Sequence, residues 1–182
     1  MPEKIEHFQT VDSGSLLRLL ENLGIPFRLY EHEAVHDAQA VASARLEMAG
    51  DIYKTLFLQG KNRQHWLMSA PLDSRVDLKT LAERLSSGRL SFGTGVDMER
   101  LLGVKPGSVT PLAVVNDAAG AVRLAMDAEI LARPMVNVHP LINTRSIDIT
   151  PQDIIDFATR AGHAPLLVEG VCMASGKERE EC

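Results

Sequence analysis

The amino-acid sequence predicts an α/β fold of the α+β type: a mixed, mostly antiparallel sheet with helices packed on it. Two observations predict it. β-type runs occur in pairs joined by short polar turns, at 54–70 and again at 112–127. Segments with helical apolar spacing stand apart from these pairs, without the regular strand-helix alternation of a doubly wound parallel sheet.

In chain order, residues 1–12 are polar and expected to form a loose arm. A helix then starts near Ser13 or Ser15. Leu16, Leu17, Leu19, Leu20 and Leu23 supply its apolar stripe, and Gly24 with Pro26 ends it. PFRLYEH reads as a strand in which Phe27 and Leu29 alternate with Arg28 and Tyr30. Residues 37–48 have an Asp cap and Ala-rich helical spacing. KTLFLQG and QHWLMSA, joined by KNR, form a hairpin, and residues 76–86 carry Val76, Leu78, Leu81 and Leu85 at helical spacing. A short helix is expected over 97–102, capped by Asp97 and ended by Gly103. Strands follow around 112–116 and 121–127, with DAAG between them as a second hairpin signal. Residues 135–138 precede HPLINTR, SIDI is a strand, and a last helix opens at Thr150 with Pro151 in its first turn and Asp153 beyond. The tail from Gly170 is charged and expected to fray.

The length of 182 residues fits one domain, with a core over about 13–169 and flexible ends at 1–12 and 170–182. Aromatics make up 4% of the chain, so aliphatic side chains and Met must fill the interior. This scarcity also argues against an aromatic platform for single-stranded nucleic acid. The formal net charge of −5 excludes attraction of the whole molecule to phosphate, so nucleic-acid contact must be local. No helix carries the Arg and Lys cluster suited to a DNA major groove. Two cysteines, Cys172 and Cys182, make neither a disulfide framework nor a zinc site. No apolar run reaches the roughly 20 residues of a membrane span, and a cytoplasmic location is expected.

GxGxxG, GxxxxGK[ST], HExxH and GxSxG are all absent, which removes dinucleotide, P-loop, zincin and hydrolase-elbow chemistry. Three features remain. Lys54, at the mouth of an apolar strand, could bring a positive charge to an anionic or carbonyl-bearing ligand; strand-edge lysines also serve as plain solvated charge. The segment Gly103 to Pro111 holds two glycines and two prolines, which let backbone groups approach a ligand closely or simply make a rigid turn. His139, restrained by Pro140, could bond a substrate hydroxyl or act as an acid or base near neutral pH; a lone histidine is more often a packed residue. The other histidines show no metal-ligand spacing, and neither a metal nor a cofactor is assigned.

Taken together and in order, four segments resemble the YbaK/ProX family, which is similar to the insertion domain of bacterial prolyl-tRNA synthetase. They are LLRLLENLGIPFRLYEHEAV, IYKTLFLQGKNRQHWLMSAP, SFGTGVDMERLLGVKPGSVTPLAVVND and VNVHPLINTRSIDIT, and the ProX branch is the nearest match. The resemblance implies hydrolysis of the ester joining a wrong amino acid to tRNA, typically alanine on proline tRNA, with the acceptor end as the bound partner and prolyl-tRNA synthetase as a further one. It implies that Lys54 engages the terminal adenosine or its phosphate and that Gly107, Ser108, Val109, Thr110 and Pro111 line the acyl pocket. His139 matches the histidine of the HPL segment, which Asn143 and Thr144 continue. Thr55 stands where the alanine-specific branch usually has Asn, which leaves serine, threonine or another small residue open. Cysteinyl-tRNA deacylation and a non-catalytic aminoacyl-tRNA-binding module are the competing readings.

Overall fold

A computed structural model describes residues 10–33 and 48–174 of the chain. Leu16 and Leu20, one helical turn apart, are fully buried by α1 (Ser13–Asn22). Its cap is Asp12, whose carboxylate accepts from Ser15 N at 2.7 Å. The expected helix over 37–48 lies outside the described residues except for Met48, which is not helical.

The strands are β1 (Arg28–Glu31), β2 (Asp51–Gln59), β3 (His65–Pro71), β4 (Ser74–Val76), β5 (Ser91–Phe92), β6 (Val122–Asp127), β7 (Val136–Val138), β8 (Arg145–Ile149), β9 (Leu166–Val168) and β10 (Cys172–Ala174). The main sheet runs β1-β8-β7-β2-β3-β6-β9, with β5 added to β2, and β10 pairs separately with β4. Antiparallel pairs predominate, as expected, but β2–β7, β3–β6 and β6–β9 are parallel. The predicted hairpin is present as β2–β3, in register from Tyr53↔Pro71 to Gln59↔His65.

Alternation along the strands sends side chains to two cores. Tyr53, Phe57, Leu67, Leu124 and Met126 meet α1, α3 (Gly95–Leu102) and α4 (Pro151–Arg160). Leu58, Trp66, Met68 and Ala70 meet Leu81 and Leu85 of α2 (Leu78–Leu85). With both faces covered, β3 is buried almost throughout, which explains why its apolar residues Trp66, Leu67 and Met68 run together without alternation.

Four expectations are corrected. Residues 112–116 are not a strand: Pro111–Asn116 is a buried 3-10 helix, opened by Pro111 at its start and by Thr110, whose hydroxyl accepts from Leu112 N. A fully buried apolar run of five residues carries no period to separate strand from helix. No hairpin links it to β6, because Asp117, 4% exposed, takes Ala121 N at 3.0 Å and Val122 N at 2.6 Å and turns β6 onto β3 in parallel. Val76 belongs to β4 and not to the helix, which Asp77 caps. Thr94, not Asp97, caps α3: its hydroxyl accepts from Asp97 N at 3.1 Å and donates to the Asp97 carboxylate at 2.8 Å.

The expected loose ends are partly tied. Val11 N donates to Asn116 Oδ1 at 2.7 Å, and Asn116 Nδ2 returns to Val11 O at 3.0 Å. Cys172 to Ala174 pair with β4 instead of fraying. The last helix is capped as predicted, with the Thr150 hydroxyl accepting from Asp153 N at 3.1 Å. Among the described residues, no helix is long and apolar enough to cross a membrane.

Candidate functional site

One edge of β2 is only partly paired. β7 covers it at Asp51 and Ile52, β5 at Leu58 and Gln59, and among the described residues no strand pairs with it in between. Asp51 N donates to Met135 O on this edge, and Phe57 O accepts from Gly93 N there. Alternate residues of a strand present their backbone groups to the same edge: Tyr53 N–H is taken up by Asn137 in the β2–β7 ladder, and the C=O of Tyr53 with the N–H and C=O of Thr55 points into the gap.

A cavity of about 270 Å³ occupies this gap. Lys54, Thr55, Gly107, Val109 and His139, from three distant segments, all line it. Ile52, Tyr53, Leu72 and Val138 add apolar wall, with Met48 at the border, and His32, Asn137 and Ser146 add polar groups. The remaining predicted residues sit beside it. Ser108 and Thr110 are buried below the loop, and Pro111 begins the 3-10 helix. Asn143 borders the Gly107 turn: a Cβ built on Gly107 would lie 3.8 Å from Asn143 Nδ2.

Local rules place each part. Ser108 N donates to Lys105 O at 3.0 Å across Pro106 and Gly107, and Gly107 has φ 87°. This is the signature of a type II turn, whose third position requires positive φ. The Lys54 ammonium donates to Leu72 O at 3.0 Å and to Ser74 O, which leaves one of its three protons for a ligand. The Thr55 and Ser69 hydroxyls share a hydrogen bond at 3.0 Å. His139 Nδ1 donates to Arg145 O at 2.9 Å, so Nε2 is the ring's acceptor. Burial lowers the His139 pKa below its ordinary 6.5, assisted by His32, against the opposing pull of the Arg145 carbonyl. Next to Pro140, Leu141 adopts φ 66°, a left-handed conformation rarely held by a branched residue.

His32, Asn137, Ser146 and Asp148 were not singled out from the sequence. His32 Nδ1 donates to Glu33 O at 2.8 Å, so the Ser146 hydroxyl donates to its Nε2 at 2.9 Å. Asp148, 1% exposed, accepts from Tyr30 Oη at 2.6 Å, Ala49 N at 3.0 Å and Asn137 Nδ2 at 2.8 Å. Gly50 crosses this hub so closely that a Cβ there would stand 2.7 Å from the Val136 carbonyl carbon and 2.8 Å from Asp148 Oδ1. The available signal was a carboxylate placed between the apolar Ile147 and Ile149 of a strand.

Among the described residues no carboxylate lines the cavity, and Lys54 is its one charged residue. Cys172 lies outside the lining, and burial together with Asp127 pushes its thiol up to about 12, which makes it a poor nucleophile. A backbone N–H group, one ammonium proton and a neutral imidazole acceptor suit a reaction in which water attacks an activated carbonyl.

Comparison with known proteins agrees. A model of the aminoacyl-tRNA editing domain matches residues 32–157. The chain is 32% identical to the prolyl-tRNA editing protein ProX of Acetoanaerobium sticklandii, over 85% of this chain and 95% of that protein. It is 31% identical to the multifunctional Ser/Thr-tRNA deacylase ProXp-y of Escherichia coli over 56% of this chain and 63% of that protein. The crystal structure of a candidate trans-editing enzyme for prolyl-tRNA synthetase superposes with a TM-score of 0.66 at 21% identity, covering 89% of this chain and 99% of that one, and supports the fold.

Proposed function

The chain belongs to the aminoacyl-tRNA editing domain family, and on that premise we propose that it is a trans-acting deacylase that removes alanine wrongly attached to proline tRNA. The carrying observation is the convergence of Lys54, the Gly107 turn and His139 on one cavity. Its partners on this reading are the acceptor end of aminoacyl-tRNA and prolyl-tRNA synthetase, and its place of action is the cytoplasm. The acyl group enters the gap in β2, where the unpaired N–H of Thr55 is placed to meet charge developing on the carbonyl oxygen. Lys54 holds the terminal nucleotide through its third proton. His139 Nε2 accepts from the terminal ribose, whose hydroxyl assists the attacking water. Aminoacyl esters are already activated, so positioning supplies most of the rate enhancement required.

A second reading, removal of serine or threonine, is favoured by the hydrogen-bonded hydroxyls of Thr55, which lines the cavity, and Ser69, and by the relative named as a multifunctional Ser/Thr-tRNA deacylase. A single methylene discriminates by only about 1–3 kcal/mol, so the two readings differ in rates, not in absolutes. Turnover of alanyl, seryl, threonyl and cysteinyl esters on one proline tRNA separates them, with the alanyl ester expected to be hydrolysed fastest. Should the seryl ester lead, Thr55→Val is expected to lower the serine-to-alanine ratio about tenfold, the worth of one hydrogen bond. No hydrolysis of any ester, with charged tRNA still bound, would leave only a binding module.

The pH profile tests His139. Its folded pKa lies below 6.5, so the folded protein binds fewer protons there than the unfolded chain, and its contribution to stability grows as pH rises through that interval. The expected acid limb of kcat/KM therefore has its midpoint below pH 6.5 and disappears in His139→Gln. A midpoint above 6.5, or an unchanged limb in the variant, would remove His139 from the reaction.

A further inference from the structure

A second groove, of about 720 Å³, opens on the other side of Lys54, which lines both it and the acyl cavity. Leu56, Leu78, Phe92 and Met173 form its apolar wall, and Arg75 and Lys79 bring two exposed cations. Arg75 and Met173 are direct partners in the β4–β10 ladder, so the groove has a rigid side. Asp77 is its carboxylate, but Lys79 N at 3.0 Å and the Thr80 hydroxyl at 2.6 Å already engage it.

Phe92 is 67% exposed and Met173 49% exposed. Single exposed apolar residues are unexceptional. Phe92, however, is held in place: it pairs with Leu58, and Gly93 behind it donates to Phe57 O at 2.9 Å. A Cβ on Gly93 would come within 2.5 Å of the Phe57 ring, so only glycine lets the chain lie this close.

Resting on the deacylase reading, we propose that this groove binds the single-stranded nucleotides preceding the terminal adenosine of the acylated RNA, one base stacking on Phe92 and the phosphates meeting Arg75 and Lys79. Lys54 lines both the groove and the acyl cavity, so a strand whose last nucleotide sits at Lys54 has its preceding phosphates beside these cations. A chain with net charge −5 thereby presents a local cationic patch to RNA. Aromatics too scarce for an extended platform still supply one ring, and one ring serves one base.

The test compares two alanyl esters, one on adenosine alone and one on the trinucleotide CCA. The wild-type protein is expected to favour the trinucleotide by about tenfold or more in kcat/KM, from one stacked base and two phosphates. Phe92→Ala should reduce that length advantage to a few-fold, and Phe92→Tyr should keep it. Arg75→Ala with Lys79→Ala should flatten its dependence on salt. Hydrolysis of both esters without a length advantage, or with an advantage unchanged in Phe92→Ala, overturns the groove but leaves the deacylase reading intact. Hydrolysis of neither ester overturns the removal of alanine; anisotropy titration of fluorescent unacylated CCA, wild type against Phe92→Ala, then decides the groove, and equal binding refutes it. An advantage unchanged in the variant while self-association is lost in sedimentation would assign the patch to a second copy of the chain.

Discussion

Lys54→Ala should lower kcat/KM for mischarged tRNA by at least about 100-fold, the usual scale for removing a preorganised donor from a reacting site. The side chain does two things that the measurement must separate. It fastens the turn between β3 and β4 by donating to Leu72 O and Ser74 O, and it faces both the acyl cavity and the cationic groove. Loss of the fastening alone costs about 1 kcal/mol per hydrogen bond, or a few degrees in Tm for a chain of this size. A variant that melts within a few degrees of wild type yet has lost turnover places the lysine in the reaction. Lys54→Arg should recover little, because a planar guanidinium cannot satisfy the same two carbonyls and still aim its remaining protons at the same point. Near-normal turnover in Lys54→Ala would end the assignment, whatever its stability.

Asp148→Ala is expected to have the largest effect on folding. The carboxylate is 1% exposed and serves three donors, from Tyr30, Ala49 and Asn137. Truncation strands all three away from water, and each orphaned buried donor costs roughly 1–3 kcal/mol, so a loss of about 3 kcal/mol or more is expected in denaturant unfolding. Asp148→Asn keeps one acceptor oxygen, and Asn137 can turn its amide to meet the new NH2 group. The loss should then be smaller, with turnover reduced because Asn137 lines the cavity. A change below about 0.5 kcal/mol in Asp148→Ala, the level of an ordinary surface substitution, would show that the hub does not hold this corner of the fold.

Features closed by neighbouring residues were legible before the fold was known. The Lys105 to Ser108 turn follows from Pro-Gly order, α4 from Thr150, Pro151 and Asp153, and the β2–β3 hairpin from two β-type runs around a polar joint. Lys54, the Gly107 turn and His139 were found because their motifs are distinctive, and the cavity joins them. Ser108 and Thr110 belong to the same motif but turn inward, as alternate residues after the turn at Gly107, and Pro111 is buried at the start of the 3-10 helix. Asp97 was misread as a cap because either end of a Thr-x-x-Asp pair can bond the other, and only the backbone shows which lies outside the helix.

The sequence by itself determined the family, the Thr150 cap of the last helix, the main turns and the motifs that carry the site, since each depends on hydrogen bonds or apolar spacing spanning a few residues. Tertiary structure alone decided that residues 112–116 coil as a 3-10 helix, that β6 runs parallel to β3, and that β2 keeps an open edge between β7 and β5. It also decided that Asp148 is buried and satisfied, and that Phe92, Arg75 and Lys79 share one groove with Lys54. The reason is physical. Which face of a segment is covered, and which edge of a strand is left unpaired, depends on elements far away in the chain, and no local pattern of polar and apolar residues records them.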